Sequence, residues 1–328
     1  MNKQIVISIK TILILFLVVL AAYVLYKLGP IIGILLVATL IVISMESAVK
    51  SFMKLTLFNK PLSRNVAVIL SYLFFVLVLV GVVVFIAPAV ISQTQKLVVN
   101  FSSILQTLNL PSLGLNFSDL LPQASRVSTG ILSATISIFS NVTAFLSIII
   151  ISLYMSFDWI NIKKNFISIF PDQMEDTIKD TLEEIEKSVG SWVRGELFLM
   201  LVIGVGSFIG LGILGIKYFV ALSIVSGITE AIPMIGPIIS GVLAGIVGFA
   251  ESPIKGVGVI ALFVLLHQLE NNLLVPKVMQ KVSGFRPLVI LLALLIGTQF
   301  FGIVGAICAV PVLMIGVIVL KRVMGYTK

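Results

Sequence analysis

The stretch Thr229-Glu230-Ala231-Ile232-Pro233-Met234-Ile235-Gly236-Pro237 places a carboxylate and two prolines inside an apolar run from Phe219 to Ala250. Proline has no N–H. In a helix, Pro233 therefore leaves the Thr229 carbonyl without its partner, and Pro237 does the same to Pro233. Broken backbone at bilayer depth is tolerated only where it is buried in protein or lines a cavity. Unpaired carbonyls beside Glu230, framed by Pro233, Gly236 and Pro237, would coordinate a cation or a polar solute. The chemistry this stretch predicts is transport.

A second polar group lies in Leu266-His267-Gln268-Leu269-Glu270-Asn271-Asn272-Leu273-Leu274-Val275-Pro276. His267, Glu270 and Asn271 are spaced i, i+3, i+4 and share one helical face, with Gln268 and Asn272 on an adjacent stripe. A carboxylate at mid-bilayer costs about 2.5–3.5 kcal/mol on insertion scales, so this face must turn to the bundle or to water. Two readings stay open. One is a solute or cation site, with Glu270 titratable and His267 proton-linked. The other is a polar helix end near Pro276 and Lys277 that caps and joins helices. Glu230 has the same two roles, ligand contact or a bond to Thr229, Ser226 or a neighbouring helix. Thr298 and Gln299, at the expected turn of a later run, either touch substrate or satisfy that turn.

These residues need elements to hold them, and composition says what kind. The chain has 328 residues, 59% hydrophobic and 11% charged, with mean hydropathy +1.20. Soluble domains carry about 25% charged residues. An all-α, polytopic integral membrane protein follows, with the lipid bilayer as its main partner. The net charge of +8 sits mostly beside apolar segments, which fits membrane orientation better than nucleic acid. The single cysteine, Cys308, and the single histidine, His267, argue against a disulfide, a metal cluster or Cys-His catalysis. No phosphate-binding GK[ST] loop is present. No catalytic residue, metal or cofactor is expected.

Apolar runs predict about six full transmembrane helices plus two broken or re-entrant helical hairpins. Residues 1–90 hold N-terminal helices at 11–28, 30–46 (after a turn at Gly29-Pro30) and 65–90. Residues 91–130 form an extracytoplasmic amphipathic region, and 131–157 cross again. Residues 158–196 carry nine acidic and five basic residues. Within them Met174, Ile178, Leu182, Ile185, Val189 and Trp192 line one helical face, so amphipathic acidic helices are expected on the cytoplasmic side. Residues 197–328 form the transport core, with helices at 197–216 and 255–275 and interrupted segments at 219–250 and 287–320. Paired interrupted segments are the sequence pointer to a transporter's site. Lys50, Lys54, Lys60, Arg64, Lys321, Arg322 and Lys328 set that loop and both termini in the cytoplasm of a cell-membrane protein. Each interrupted segment is either a long tilted helix or a hairpin that enters and leaves on one side, and the charges favour two hairpins, which bring Lys277, Lys281 and Arg286 inside.

Four motifs in order resemble the autoinducer-2 exporter (AI-2E) family of membrane permeases: Trp192-Val193-Arg194-Gly195-Glu196, Ile232 to Pro237, Gln268 to Pro276, and Pro287 through Gly297-Thr298-Gln299-Phe300-Phe301-Gly302 to Pro311. His267 stands where a glutamine is common in that family, and Arg286 where a histidine often stands. The resemblance implies an all-helical membrane protein that forms homo-oligomers. It also implies one of three roles: export of autoinducer-2, sodium(lithium)/proton antiport, or a sporulation membrane scaffold. The expected solute is accordingly a small polar molecule, or a monovalent cation or proton.

Overall fold

The computed structural model describes residues 9–57, 60–107, 130, 142–278 and 285–324. Its order is α1 (Ile9–Met53), β1 (Thr56–Leu57), β2 (Lys60–Pro61), α2 (Arg64–Thr107), α3 (Val142–Phe157), α4 (Trp159–Ile167), α5 (Glu175–Ile213), α6 (Phe219–Thr229), α7 (Ile235–Glu251), α8 (Pro253–Leu269), α9 (Val275–Val278) and α10 (Pro287–Val323). The strands make one minimal antiparallel ribbon, Thr56 opposite Pro61. The architecture is all-helical, as expected.

Polarity is inverted relative to a soluble bundle. Leu197, Phe198, Leu201, Val205 and Phe208 of α5 point outward, while Ser71, Ser152, Ser207, Ser226 and Ser240 are buried. Lipid explains the first set. The serines bury cheaply because most bond within their own helix, as Ser71 Oγ donates to Ala67 O at 2.7 Å and Ser226 Oγ to Leu222 O at 2.8 Å.

Several expected boundaries dissolve. The turn at Gly29-Pro30 is absent, because α1 runs 45 residues through Pro30. One lost hydrogen bond does not break a long helix whose neighbouring turns remain bonded. At 1.5 Å per residue α1 is about 67 Å long, with Ile9 and Met53 at opposite ends. α2 continues through Pro88 to Thr107, so 91–107 extends a helix that the expectation stopped at 90. Residues 108–129 and 131–141 of the expected outer region and following helix lie outside the described residues. The acidic helix and the span expected at 197–216 are likewise one helix, α5. Four described helices are long and apolar enough to cross a membrane, and five if α3 (from Phe145) and α4 count as one span bent by 67°.

Both interrupted segments fold back. α6 and α7 form hairpin 1. Lys217 N, before α6, donates to Glu251 Oε1 at 2.6 Å, at the end of α7, so the hairpin enters and leaves at one end. Its arms pack Leu222 and Val225 against Leu243 and Val247, with Leu97 of α2 alongside. α10 is hairpin 2. It turns at Gly302, whose φ of 60° and ψ of −142° are non-helical. A Cβ on Gly297 or Gly305 would collide with the other's carbonyl, so the two arms touch backbone to backbone. The tip of hairpin 1 (Ile232, Ile235) rests on Leu294, Ala306 and Ala309 of hairpin 2. Hairpin 1 is rooted beside Gly215, at one end of α5. Hairpin 2 returns to the other end, where Arg322 Nε donates to Thr181 Oγ1 at 3.1 Å. The hairpins are therefore opposed.

The end that carries hairpin 2 is held by charges. Arg64 makes a two-pronged bond to Glu46 at 2.8 and 2.9 Å and donates to Ser156 O at 3.1 Å, tying α1, α2 and α3. Glu186 accepts from Lys50 at 2.8 Å, Lys163 at 2.7 Å and the Trp159 indole at 3.3 Å. Burial pushes the Glu186 carboxyl up, but the bonds to Lys163 and Lys50 outweigh it and hold it below its ordinary value. A carboxylate depressed in the folded state stabilises the fold above its unfolded pKa and loses that contribution as pH falls through the folded value. The melting temperature of the wild type should therefore exceed that of Glu186→Gln at pH 7, with the gap closing as pH drops below the ordinary carboxylate range. Thermal melts of both proteins across pH check this, and a gap that does not change with pH contradicts it.

Candidate functional site

The site forms where the tip of hairpin 1 meets α5, α8 and hairpin 2. At the tip, Met234 adopts φ 67°, a conformation uncommon for a residue with a side chain. The freed carbonyls expected there are taken. Thr229 O accepts from Ile232 N at 2.9 Å and Pro233 O from Ile235 N at 2.8 Å. The chain tightens into short turns instead of leaving the helix ladder open, so neither of these two carbonyls stands bare. The side chains carry the chemistry.

A cavity of about 520 Å³ holds Glu230, Pro233 and Pro237 of hairpin 1 with His267, Glu270 and Asn271 of α8 and the turn after it. The two polar motifs, about 40 residues apart in sequence, thus meet in space. Glu270 opens a stretch of π-helix, Glu270–Leu274. Such a widening is frequent at functional sites. His267 Nδ1 lies 3.0 Å from Glu270 Oε2. Either the imidazole donates to the carboxylate or the carboxylic acid donates to the imidazole, so one proton serves both groups. Glu230 Oε2 and His267 Nε2 are buried without a hydrogen-bond partner.

Other expected site residues lie elsewhere. Gly236 is buried against the Thr229 carbonyl and closes the hairpin tip. Gln268 and Asn272 are exposed and bond each other at 2.6 Å, so the adjacent stripe faces away from the cavity. Gln299 is exposed beside the Gly302 turn, and Thr298 Oγ1 donates to Leu294 O at 2.7 Å. Both serve hairpin 2, not the cavity.

One carboxylate escaped the sequence reading. Glu196 of α5 is 6% exposed and lines the same cavity, with Trp192 one turn away. It acts electrostatically on Glu230, as does Glu270. Its charge had grouped it with the solvated acidic helix. The signal was its phase, since Val189, Trp192, Glu196, Leu199 and Ile203 fall on one stripe, and all are buried. A glutamate in register with the core stripe faces the bundle.

Removing Glu270 strands its partner. In Glu270→Ala, His267 loses its Nδ1 bond while Nε2 is already unpaired, at a cost of about 1–3 kcal/mol. Adding His267→Leu should recover most of that loss. Thermal melts of the single and double variants test it, and an additive double variant would show the pair to be uncoupled.

Opposed helical hairpins around a cavity that buries three glutamates, in a bundle that turns apolar side chains outward, define a polytopic membrane protein of transport type. Residues 12–325 match the family described as AI-2E family transporter. YueF of Bacillus subtilis (strain 168) is 28% identical over 279 residues, which cover 78% of this chain and 76% of YueF. YrrI of the same organism is 37% identical over 131 residues, 40% of this chain and 37% of YrrI. A protein of Thermotoga maritima is 28% identical over 238 residues, 69% of this chain and 71% of that one. Each is named as a candidate transport protein, and the names give no substrate. The chain belongs to the AI-2E transporter family.

Proposed function

We propose that the protein is a secondary transporter that moves a small polar solute across the cytoplasmic membrane through this cavity, exchanging it against a proton or monovalent cation. One observation carries the reading: Glu230 is buried at the tip of a hairpin with its Oε2 unpartnered. A buried polar atom left unpaired costs free energy unless a ligand completes it. A carboxyl holds a proton or a cation but not both at once, so the group that binds also couples.

The hairpin contact supplies the motion. The tip of hairpin 1 rests on small residues of hairpin 2, Ala306 and Ala309, across which it can slide to open the cavity to either side. Export of autoinducer-2 is the form of this reading that the family's name carries, since hydroxyl groups would donate to the same carboxylates. Sodium(lithium)/proton antiport is the second reading, and the bare Glu230 oxygen favours it. In a scaffold, the acidic charges of α5 would be left for partners, whereas Glu186 is spent on Lys50 and Lys163. The end bearing Lys50, Arg64 and Arg322 would face the cytoplasm, and the continuous α1 then carries Ile9 toward the other side, which departs from the expectation of a cytoplasmic N-terminus.

Flux of labelled autoinducer-2 and of sodium into proteoliposomes separates these readings. Glu270→Gln should abolish coupled flux of whichever solute moves. Unaltered coupling in that variant would remove Glu270 from the mechanism, and no flux of either solute would count against transport.

A further inference from the structure

The cavity lining mixes two kinds of side chain. It joins the carboxyls Glu196, Glu230 and Glu270 to the apolar Trp192, Phe285 and Ile290, with no lysine or arginine among the described lining residues. Arg286 lies between two lining residues but is itself exposed. Carboxyl oxygens with no fixed cation among the described residues beside them select a ligand that brings a positive charge. The size selects more than a bare ion, because about 520 Å³ is many times the roughly 30 Å³ that one water occupies in the liquid. Nor do the carboxyls form an ion cage: among the described residues, no group of three or more His, Cys, Asp or Glu is placed to hold a metal.

The apolar lining then has a use. Aromatic and aliphatic side chains bury the hydrocarbon part of a ligand while a few polar groups fix its charged end. Trp192 is 5% exposed. Resting on the reading of this cavity as the transport site, we propose that its solute is a small organic monocation, whose ammonium group bonds the unpartnered Glu230 Oε2 and whose hydrocarbon part lies against Trp192 and Phe285.

Three probes of matched size and different charge test this: butylammonium, butanol and butyrate. The chain has two tryptophans, and Trp159 does not line the cavity, so Trp159→Phe leaves Trp192 as the sole indole reporter in the purified full-length protein. Saturable change in its fluorescence with butylammonium is expected, at least about tenfold tighter than with butanol or butyrate. Glu230→Gln should weaken it by about the same factor. Equal responses to the three probes, or no saturable response to butylammonium, would overturn the proposal without any variant. Unchanged binding in Glu230→Gln would also overturn it. The transport reading fails separately: a protein that binds butylammonium but passes no solute keeps the site and loses the function. One that exchanges sodium for protons yet ignores butylammonium does the reverse.

Discussion

Replacing Glu230 by glutamine is expected to lower coupled flux about 10- to 100-fold, the loss of a charge-assisted bond worth about 1.5–3 kcal/mol. The amide has nearly the same shape, so the buried tip of hairpin 1 should keep its packing. It cannot release a proton or hold a cation, so the effect falls on the coupled step. The comparison is flux in proteoliposomes, with melting temperature measured on the same preparations. A variant that melts like the wild type but has lost flux assigns the loss to chemistry. Equal flux in both proteins would remove Glu230 from the site. Glu230→Asp separates charge from reach, since it keeps the carboxylate but draws it back by one methylene.

The second large effect lies far from any charge. Gly305→Ala places a methyl group against the Gly297 carbonyl, where backbone cannot yield as a side-chain tip does. Forcing the arms of hairpin 2 apart should cost about 1–3 kcal/mol, the usual range for overpacking. It should also disturb Ala306 and Ala309, the surface on which hairpin 1 rests. Flux and melting temperature should fall together. Gly316, on the same helix, has nothing within 4 Å of a built Cβ. Gly316→Ala should be neutral or slightly stabilising, because alanine favours a helix over glycine by about 1 kcal/mol. A Gly305→Ala protein as stable and active as Gly316→Ala would contradict the hairpin.

The sequence was most legible where a residue was expensive in its surroundings. Glu230 and Glu270 stood out because lipid forbids them, and the structure brings both to one cavity. Pro233, Pro237 and His267 join them there. The hairpins were legible from length, breakers and the position of Lys277 and Arg286. Backbone detail was not: whether a proline ends a helix depends on what packs around it. Pro30 and Pro88 pass inside long helices, while Pro233 sits in a true break. The carbonyls beside it were expected to be open, yet local turns close them at 2.8 and 2.9 Å. Gln268 and Asn272 were misplaced for a related reason. They share a polar run with Glu270, but the stripe they occupy turns outward. Glu196 was hidden by its neighbours, since eight other acidic residues in 158–196 made its charge look ordinary and only its helical phase set it apart.

The most direct measurement is the interior pH of proteoliposomes after an outside jump in sodium or in autoinducer-2, for the wild type and Glu230→Gln side by side. Exchange at the cavity carboxyls predicts a pH change in the wild type with at least one solute, and none in the variant. Superimposable traces from the two proteins, or a flat wild-type trace while labelled solute still crosses, would contradict coupling at this site.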